Sequence, residues 1–143
     1  MMKSVFIGCG AYLPQNSVTN DDLAARGDTS DEWILARTGI SYRHIAADDE
    51  LTSDLAYNAS VEALASAGMA ADELDLIVLA TATPDETFPA TATTVQARLG
   101  VVGNPAFEVQ AVSSGIITAL AVADNFIKPR RAKNDLLNGP ETF

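Results

Sequence analysis

Two adjacent serines, Ser113 and Ser114, separate one apolar run from another. The pattern places them where a strand turns into a helix, which lifts a side chain to the carboxyl edge of an α/β sheet and points helix N–H groups at a bound ligand. A serine hydroxyl there could act as a nucleophile, but it needs an adjacent base, and the nearby sequence offers none. The alternative is that both serines simply cap the helix. The residues alone favour neither interpretation over the other.

Trp33 and Arg37 form a second candidate site. They are four residues apart on a predicted helix, so they share a face. An indole beside a guanidinium can sandwich an adenine by stacking and cation–π contact. The alternative is that Trp33 is a core residue and Arg37 pairs with Glu32 or Asp31, and spacing alone favours this alternative.

The remaining chemistry-bearing residues give weaker signals. His44 is the only histidine and has no cysteine or carboxylate at metal-ligand spacing, which favours a structural role over catalysis or zinc binding. The Gly8-Cys9-Gly10 sequence lacks the third glycine and the helix of a dinucleotide loop, so Cys9 is predicted to be a small buried filler. Basic residues at 128–133 suit a helix C-terminus, or alternatively an acidic partner.

The elements that would position these residues alternate between strands and helices. Capping signatures at 19–22 and 29–32 predict two short helices, and 42–45 is predicted to be extended. Strands are predicted at 4–8, 74–80, 105–110 and 135–138, and longer helices at 52–67, 89–99 and 113–127. This order predicts a parallel sheet with helices on its faces. Asp135 and Asn138 suit a buried strand poorly, so each would need a partner.

Composition limits the possible functions. The chain has 143 residues, the usual length of one domain, and a net charge of −10, which argues against nucleic acid and against anionic membranes. One cysteine cannot form an internal disulfide, and no apolar run is long enough for a membrane span. We therefore expect a soluble, cytoplasmic protein.

Taken together, the motifs of the chain resemble the N-terminal part of the β-ketoacyl-acyl-carrier-protein synthase III family. The matching segments are 8–14, 28–34, 37–40, 83–85, 87–92, 95–100, 106–112 and 139–143. The resemblance implies a thiolase-like α/β fold, of which the chain would supply part of the first βαβαβ half, with a mainly parallel sheet and helices on its faces. It implies that residues 1–143 are a partial N-terminal domain and that the C-terminal half is absent.

The resemblance also implies a reaction. Such enzymes take an acyl group from acyl-coenzyme A onto a cysteine and condense it with malonyl-acyl-carrier protein, which starts type II fatty-acid synthesis. Coenzyme A thioester is a substrate, and neither a resident cofactor nor a metal is expected. Trp33 and Arg37 would flank the adenine of coenzyme A, with Thr29 beside them. Phe88 would reach across a homodimer interface to close the partner's acyl pocket.

Two departures from the family pattern bear on activity. The family's nucleophilic cysteine falls on Ser113. The family's catalytic histidine and asparagine lie in the C-terminal half, and His44 does not match that histidine. We therefore expect negligible condensation by this chain alone. The alternatives are a non-catalytic remnant or fragment that keeps the fold, and a serine-dependent acyltransferase.

Overall fold

The computed structural model describes residues 3–142; Met1, Met2 and Phe143, the last residue of the 139–143 motif, lie outside them. The described residues form two compact units. One unit consists of residues 13–50, and the other consists of residues 3–12 and 51–142.

The smaller unit is a two-stranded antiparallel sheet with two short helices. Its elements are β1 (Asn16–Thr19), α1 (Asn20–Ala24), α2 (Asp31–Thr38) and β2 (Tyr42–Ile45), with β1 paired to β2. Thr19 and Asp22 form a capping box on α1, and the Ser30 hydroxyl accepts from the Trp33 N–H at the start of α2. Both predicted caps and the extended segment 42–45 are confirmed. Strand β1 was not predicted.

The larger unit contains a three-stranded parallel sheet covered by helices. Its elements are α3 (Thr52–Ala67), β3 (Leu76–Ala80), α4 (Thr91–Leu99), β4 (Ala106–Val109), α5 (Gly115–Ile127) and β5 (Asp135–Asn138). The strand order is β4-β3-β5, and both pairs are parallel. The predicted α/β class and parallel sheet are confirmed. No helix within residues 3–142 combines the length and apolar character needed to cross a bilayer.

Strand β3 is the centre of the core, and its five residues are all buried. Ile77 packs with Leu64 of α3, while Val78 packs with Ala119 of α5 on the opposite face. The run is continuously apolar because helices cover both faces of the strand. Each such side chain contributes about 1.5–3 kcal/mol of hydrophobic burial.

The predicted first strand is wrong, since residues 4–8 form no strand. Gly8 and Gly10 bring this segment against α3 so closely that a Cβ on Gly8 would lie 2.6 Å from the Ala63 carbonyl oxygen. The Cys9 N–H donates to the Ser66 hydroxyl, a helix side chain rather than a neighbouring strand. Cys9 itself is exposed, so its prediction as a buried filler is also wrong.

Of the two polar residues of β5, Asn138 has a hydrogen-bond partner and Asp135 does not. The Asn138 amide donates to the Ser60 hydroxyl at 3.1 Å in a buried pair, which confirms its need for a partner. Both carboxylate oxygens of Asp135 are buried without a hydrogen-bond partner. Desolvation, together with the charge of Asp75, raises the pKa of Asp135 from 3.8 to about 6. Strand β5 therefore forms in spite of Asp135.

Candidate functional site

The carboxyl ends of three parallel strands meet at one edge of the larger unit, where ligands bind in α/β folds. Three segments follow these strands and form this carboxyl edge: residues 81–85, 110–114 and 139–142. The sequence predicted that Ser113 would lie here, and the structure places it here.

Ser113 lies in a single 3₁₀ turn, residues 112–114, directly before α5. Its side chain is exposed, and among residues 3–142 the hydroxyl has no hydrogen-bond partner. The Ser114 hydroxyl donates to the Ala111 carbonyl oxygen at 2.8 Å, and neither serine caps α5 through its side chain. Ser114 thus occupies the N-cap position, as the alternative predicted, but without a capping hydrogen bond, and the exposed Ser113 is free to meet a ligand.

The turn before Ser113 has an unusual backbone. Val112 has a φ of 46°, in the left-handed region that β-branched residues rarely adopt. A residue held in such a conformation costs about 1–3 kcal/mol, and strained residues of this kind cluster at ligand sites. Gly115 anchors the turn from the other side, because a Cβ there would lie 3.2 Å from the Ala80 side chain. The packing of α5 on β3 thus fixes where Ser113 stands.

The Glu141 carboxylate holds the same edge together through hydrogen bonds. In the sequence analysis this residue appeared only within the 139–143 motif. Glu141 accepts from the Ala82 N–H at 3.0 Å and from the hydroxyls of Thr81 and Thr83 at 3.2 and 3.0 Å. The Thr52 hydroxyl donates to the Thr83 carbonyl oxygen at 2.6 Å. These bonds tie the segment after β3 to the segment after β5. No spacing rule indicated them, because the partners lie 59 residues apart for Ala82 and Glu141.

The larger unit contains no histidine that could serve as a base for Ser113. The chain's single histidine, His44, lies in the smaller unit, where its Nδ1 is 2.5 Å from the Pro14 carbonyl oxygen. The Tyr42 ring meets the His44 ring edge-on at 5.7 Å between centroids. These contacts support the structural role predicted for His44. Across residues 3–142, no three or more His, Cys, Asp or Glu side chains are grouped to hold a metal ion.

The second candidate site lies on α2 of the smaller unit. The Arg37 guanidinium carbon lies 4.2 Å from the centroid of the Trp33 ring, as predicted from their spacing. Trp33 is 51% exposed, so it is not a core residue. The hydroxyl oxygen of Thr29, two residues before α2, is buried without a partner. At this distance the guanidinium and the indole leave no room for a base between them, so the structure does not show the open sandwich.

Phe88 and the basic residues lie elsewhere on the larger unit. Phe88 is 86% exposed in the loop between β3 and α4. The basic residues at 128–133 follow α5, and the Lys128 ammonium bonds the Asp124 carboxylate at 2.5 Å. Hydrogen bonds from Lys128 and Ser4 hold the pKa of Asp124 below its ordinary value. Of these basic residues, Lys128 is therefore paired within the chain.

The chain matches proteins of one kind along almost its whole length. It is 64% identical over 142 residues to the β-ketoacyl-[acyl-carrier-protein] synthase III of Rhodospirillum centenum, covering 99% of this chain and 44% of that protein. It is 57% identical over 143 residues to the synthase III of Paramagnetospirillum magneticum, again 44% of the relative. The chain thus spans less than half the length of these relatives. A comparison with models of protein families found no match.

Solved structures show the same similarity. The 3-oxoacyl-[acyl-carrier-protein] synthase III of Aquifex aeolicus superposes with a TM-score of 0.90 at 52% identity, over 94% of this chain and 44% of that one. The priming β-ketosynthase of the R1128 polyketide pathway gives a TM-score of 0.91 at 31% identity, over 95% of this chain and 41% of that one. The thiolase-like fold and the family resemblance are therefore confirmed.

Proposed function

We propose that this chain serves as part of a β-ketoacyl-acyl-carrier-protein synthase III, with two roles within the whole enzyme: an acyl-acceptor edge at Ser113 and a coenzyme A surface at Trp33. The whole enzyme would condense an acyl group from acyl-coenzyme A with malonyl-acyl-carrier protein. Residues 1–143 would form part of its first half. Alone, the chain would bind coenzyme A without completing the condensation.

The observation that carries this proposal is the exposed, unpartnered Ser113 hydroxyl at the start of α5. Acyl transfer there would form a bond from Ser113 Oγ to the thioester carbonyl carbon and break the carbon–sulfur bond. The hydroxyl proton would leave with the coenzyme A thiol. The N-terminus of α5 favours the negative charge that develops in this step.

The step lacks a base at Ser113. A general base contributes about 10²–10⁴-fold to such a transfer. The one histidine of the chain belongs to the other compact unit and is bonded to Pro14. Condensation further requires a group that stabilises the carbanion formed when malonyl loses carbon dioxide. We therefore expect no measurable condensation by this chain.

Coenzyme A binding would use the α2 surface. The exposed Trp33 ring offers a stacking face for adenine, and Arg37 offers donors to a nucleotide. The Thr29 hydroxyl is buried without a partner and would donate only if nucleotide binding exposed it. Phe88, with most of its ring in solvent, would contact a second subunit beside the acyl pocket. An acyl-carrier protein would present the malonyl group.

Quenching of Trp33 fluorescence tests the coenzyme A surface, since Trp33 is the only tryptophan. We expect coenzyme A to quench the emission and pantetheine, which has no adenine, to leave it unchanged. Arg37→Ala should weaken binding by about fivefold, the loss of roughly 1 kcal/mol. Leu35→Ala, on the same helix two residues from either partner, is the matched control. Equal quenching by pantetheine would overturn this assignment.

A serine acyltransferase is the second candidate, and the free Ser113 hydroxyl favours it. This candidate predicts a stable acyl ester on Ser113 after incubation with acetyl-coenzyme A. The non-catalytic alternative is favoured by Asp135, whose buried carboxylate no partner compensates. It predicts neither coenzyme A binding nor acylation.

A further inference from the structure

The first turn of α5, close after Ser113, packs against two neighbouring parts of the carboxyl edge. A Cβ on Gly115 would lie 3.2 Å from the side chain of Ala80, the last residue of β3. A Cβ on Gly139, the first residue after β5, would lie 3.5 Å from the Ile116 side chain. The start of α5 therefore rests on the ends of two strands, and the position of Ser113 depends on how those ends are held together.

Glu141 joins the segments that follow these two strands. Its carboxylate accepts from the Ala82 N–H at 3.0 Å and from the Thr81 and Thr83 hydroxyls at 3.2 and 3.0 Å. The Thr142 N–H donates to the Thr83 hydroxyl oxygen at 3.0 Å, which is a second connection between the same segments. Because hydrogen bonds to a carboxylate are roughly twice as strong as those between neutral groups, Glu141 supplies the stronger connection.

Thr81 extends this connection to β4, the strand that precedes Ser113. The Thr81 N–H donates to the Val109 carbonyl oxygen at 3.2 Å. Thr81 is buried, so one residue with little solvent contact bonds β4 through its backbone and Glu141 through its hydroxyl. The segment 110–114 is thus held at its start through Thr81 and at its end through the packing of α5.

The other carboxylates near this edge are bonded to other helices. The Asp85 carboxylate accepts from the Ser53 N–H at the start of α3, and the Glu108 carboxylate accepts from the Ala92 N–H at the start of α4. Among the described residues, no side chain caps the start of α5. A negative charge beside the first turn of α5 would therefore be stabilised by the backbone N–H groups of that turn.

We propose that Glu141 is a positioning residue for the acyl acceptor: by joining the segments on which the first turn of α5 rests, it keeps the N–H groups of that turn directed at position 113. This inference rests on the proposed role of Ser113 in acyl transfer. Glu141 acts through the backbone and transfers no proton, because its oxygens already accept hydrogen bonds from three groups.

The pKa of a thiol at position 113 tests the proposal, because a thiolate there is stabilised by the α5 N–H groups. The parent protein carries Ser113→Cys together with Cys9→Ser, which removes the exposed natural thiol. The pH dependence of alkylation by iodoacetamide gives the thiol pKa, and in the parent it should lie below the ordinary value of about 8.5. Glu141→Ala should raise that pKa by about 0.5, the size of the effect of a helix N-terminus.

Glu141→Gln is the matched control, because its amide keeps an acceptor for the Ala82 N–H and gains a donor for the Thr83 hydroxyl oxygen while it removes the charge. The pKa in this variant should stay close to that of the parent. A direct effect of the Glu141 charge predicts the opposite, since losing a nearby negative charge lowers a thiol pKa in both variants. Asn104→Ala breaks a bond to the Leu74 carbonyl oxygen, before the first residue of β3 and far along the strand from this edge, and should leave the pKa unchanged.

The proposal is overturned if Glu141→Ala leaves the thiol pKa unchanged, if Glu141→Gln changes it equally, or if Asn104→Ala does. A parent pKa at or above the ordinary value would also overturn it. If Glu141→Ala does not fold, Thr83→Val removes one of the bonded hydroxyls and should raise the pKa, and an unchanged pKa would then overturn the proposal. Alkylation uses no coenzyme A, so failed acetyl transfer to Ser113→Cys would count against the proposed function without affecting this result.

Discussion

Replacing Asp135 by asparagine removes the one buried charge of β5 while keeping the shape of the side chain. Desolvation and the neighbouring Asp75 raise the pKa of Asp135 from 3.8 to about 6. At about 1.36 kcal/mol for each pH unit of difference, ionised Asp135 costs the folded chain about 3 kcal/mol. Because the carboxylate oxygens have no partner, no hydrogen bond offsets this cost. Asp135→Asn should stabilise the chain by about that amount at neutral pH.

The effect should depend on pH in a defined direction. The folded state holds the proton of Asp135 more tightly than the unfolded state, so the penalty is complete above pH 6. It declines as the pH falls from 6 towards 3.8, where both states become protonated. The stability difference between Asp135→Asn and wild type should therefore shrink from about 3 kcal/mol to near zero across this interval.

Urea unfolding followed by far-UV circular dichroism measures this difference. Tryptophan fluorescence is unsuitable, because Trp33 lies in the other compact unit. Asp72→Asn is the matched control: Asp72 is exposed close to β3 in sequence, and its replacement should change stability by less than about 0.5 kcal/mol. A stability gain from Asp135→Asn that is the same at pH 4 and pH 7.5 would refute the electrostatic explanation.

Two further predictions concern the packing of α3. Ser60→Ala should lower the free energy of unfolding in urea by about 1–3 kcal/mol, because it leaves the buried Asn138 amide without its partner. Adding Asn138→Leu should recover part of that loss. An unchanged free energy of unfolding in Ser60→Ala would contradict this prediction. Gly10→Ala should free residues 3–12 for limited proteolysis, because its Cβ would lie 2.3 Å from the Ala59 carbonyl oxygen. Gly27→Ala is the control, because its Cβ would come no closer than 4.0 Å to the Leu23 carbonyl oxygen, and equal cleavage of residues 3–12 in both variants would argue against the prediction.

The sequence correctly predicted those elements that depend on residues only a few positions apart. The capping residues Thr19 and Ser30, and the apolar run of β3, act within a few residues and were identified correctly. Residues 4–8 have the composition of a strand but no strand beside them, and composition carries no information about neighbours. The Glu141 contacts could not be predicted from the sequence for the same reason, because they join residues about 60 positions apart.

The candidate site was predictable to a similar extent. Spacing alone placed Arg37 over Trp33, because both lie on one helix. The strand-to-helix pattern placed Ser113 at the carboxyl edge, but the strained φ of Val112 depends on how α5 packs on β3. The exposure of Trp33 could not be read from spacing, because the helix pattern does not show which face is covered.

The most direct test of the central claim is intact-protein mass spectrometry after incubation with acetyl-coenzyme A. The Ser113 hydroxyl has no base, so the wild-type chain should gain no acetyl group. Ser113→Cys should gain one, because the N-terminus of α5 stabilises a thiolate without a base. An acetyl ester on Ser113 of the wild-type chain, formed as fast as the thioester of the cysteine variant, would contradict the account.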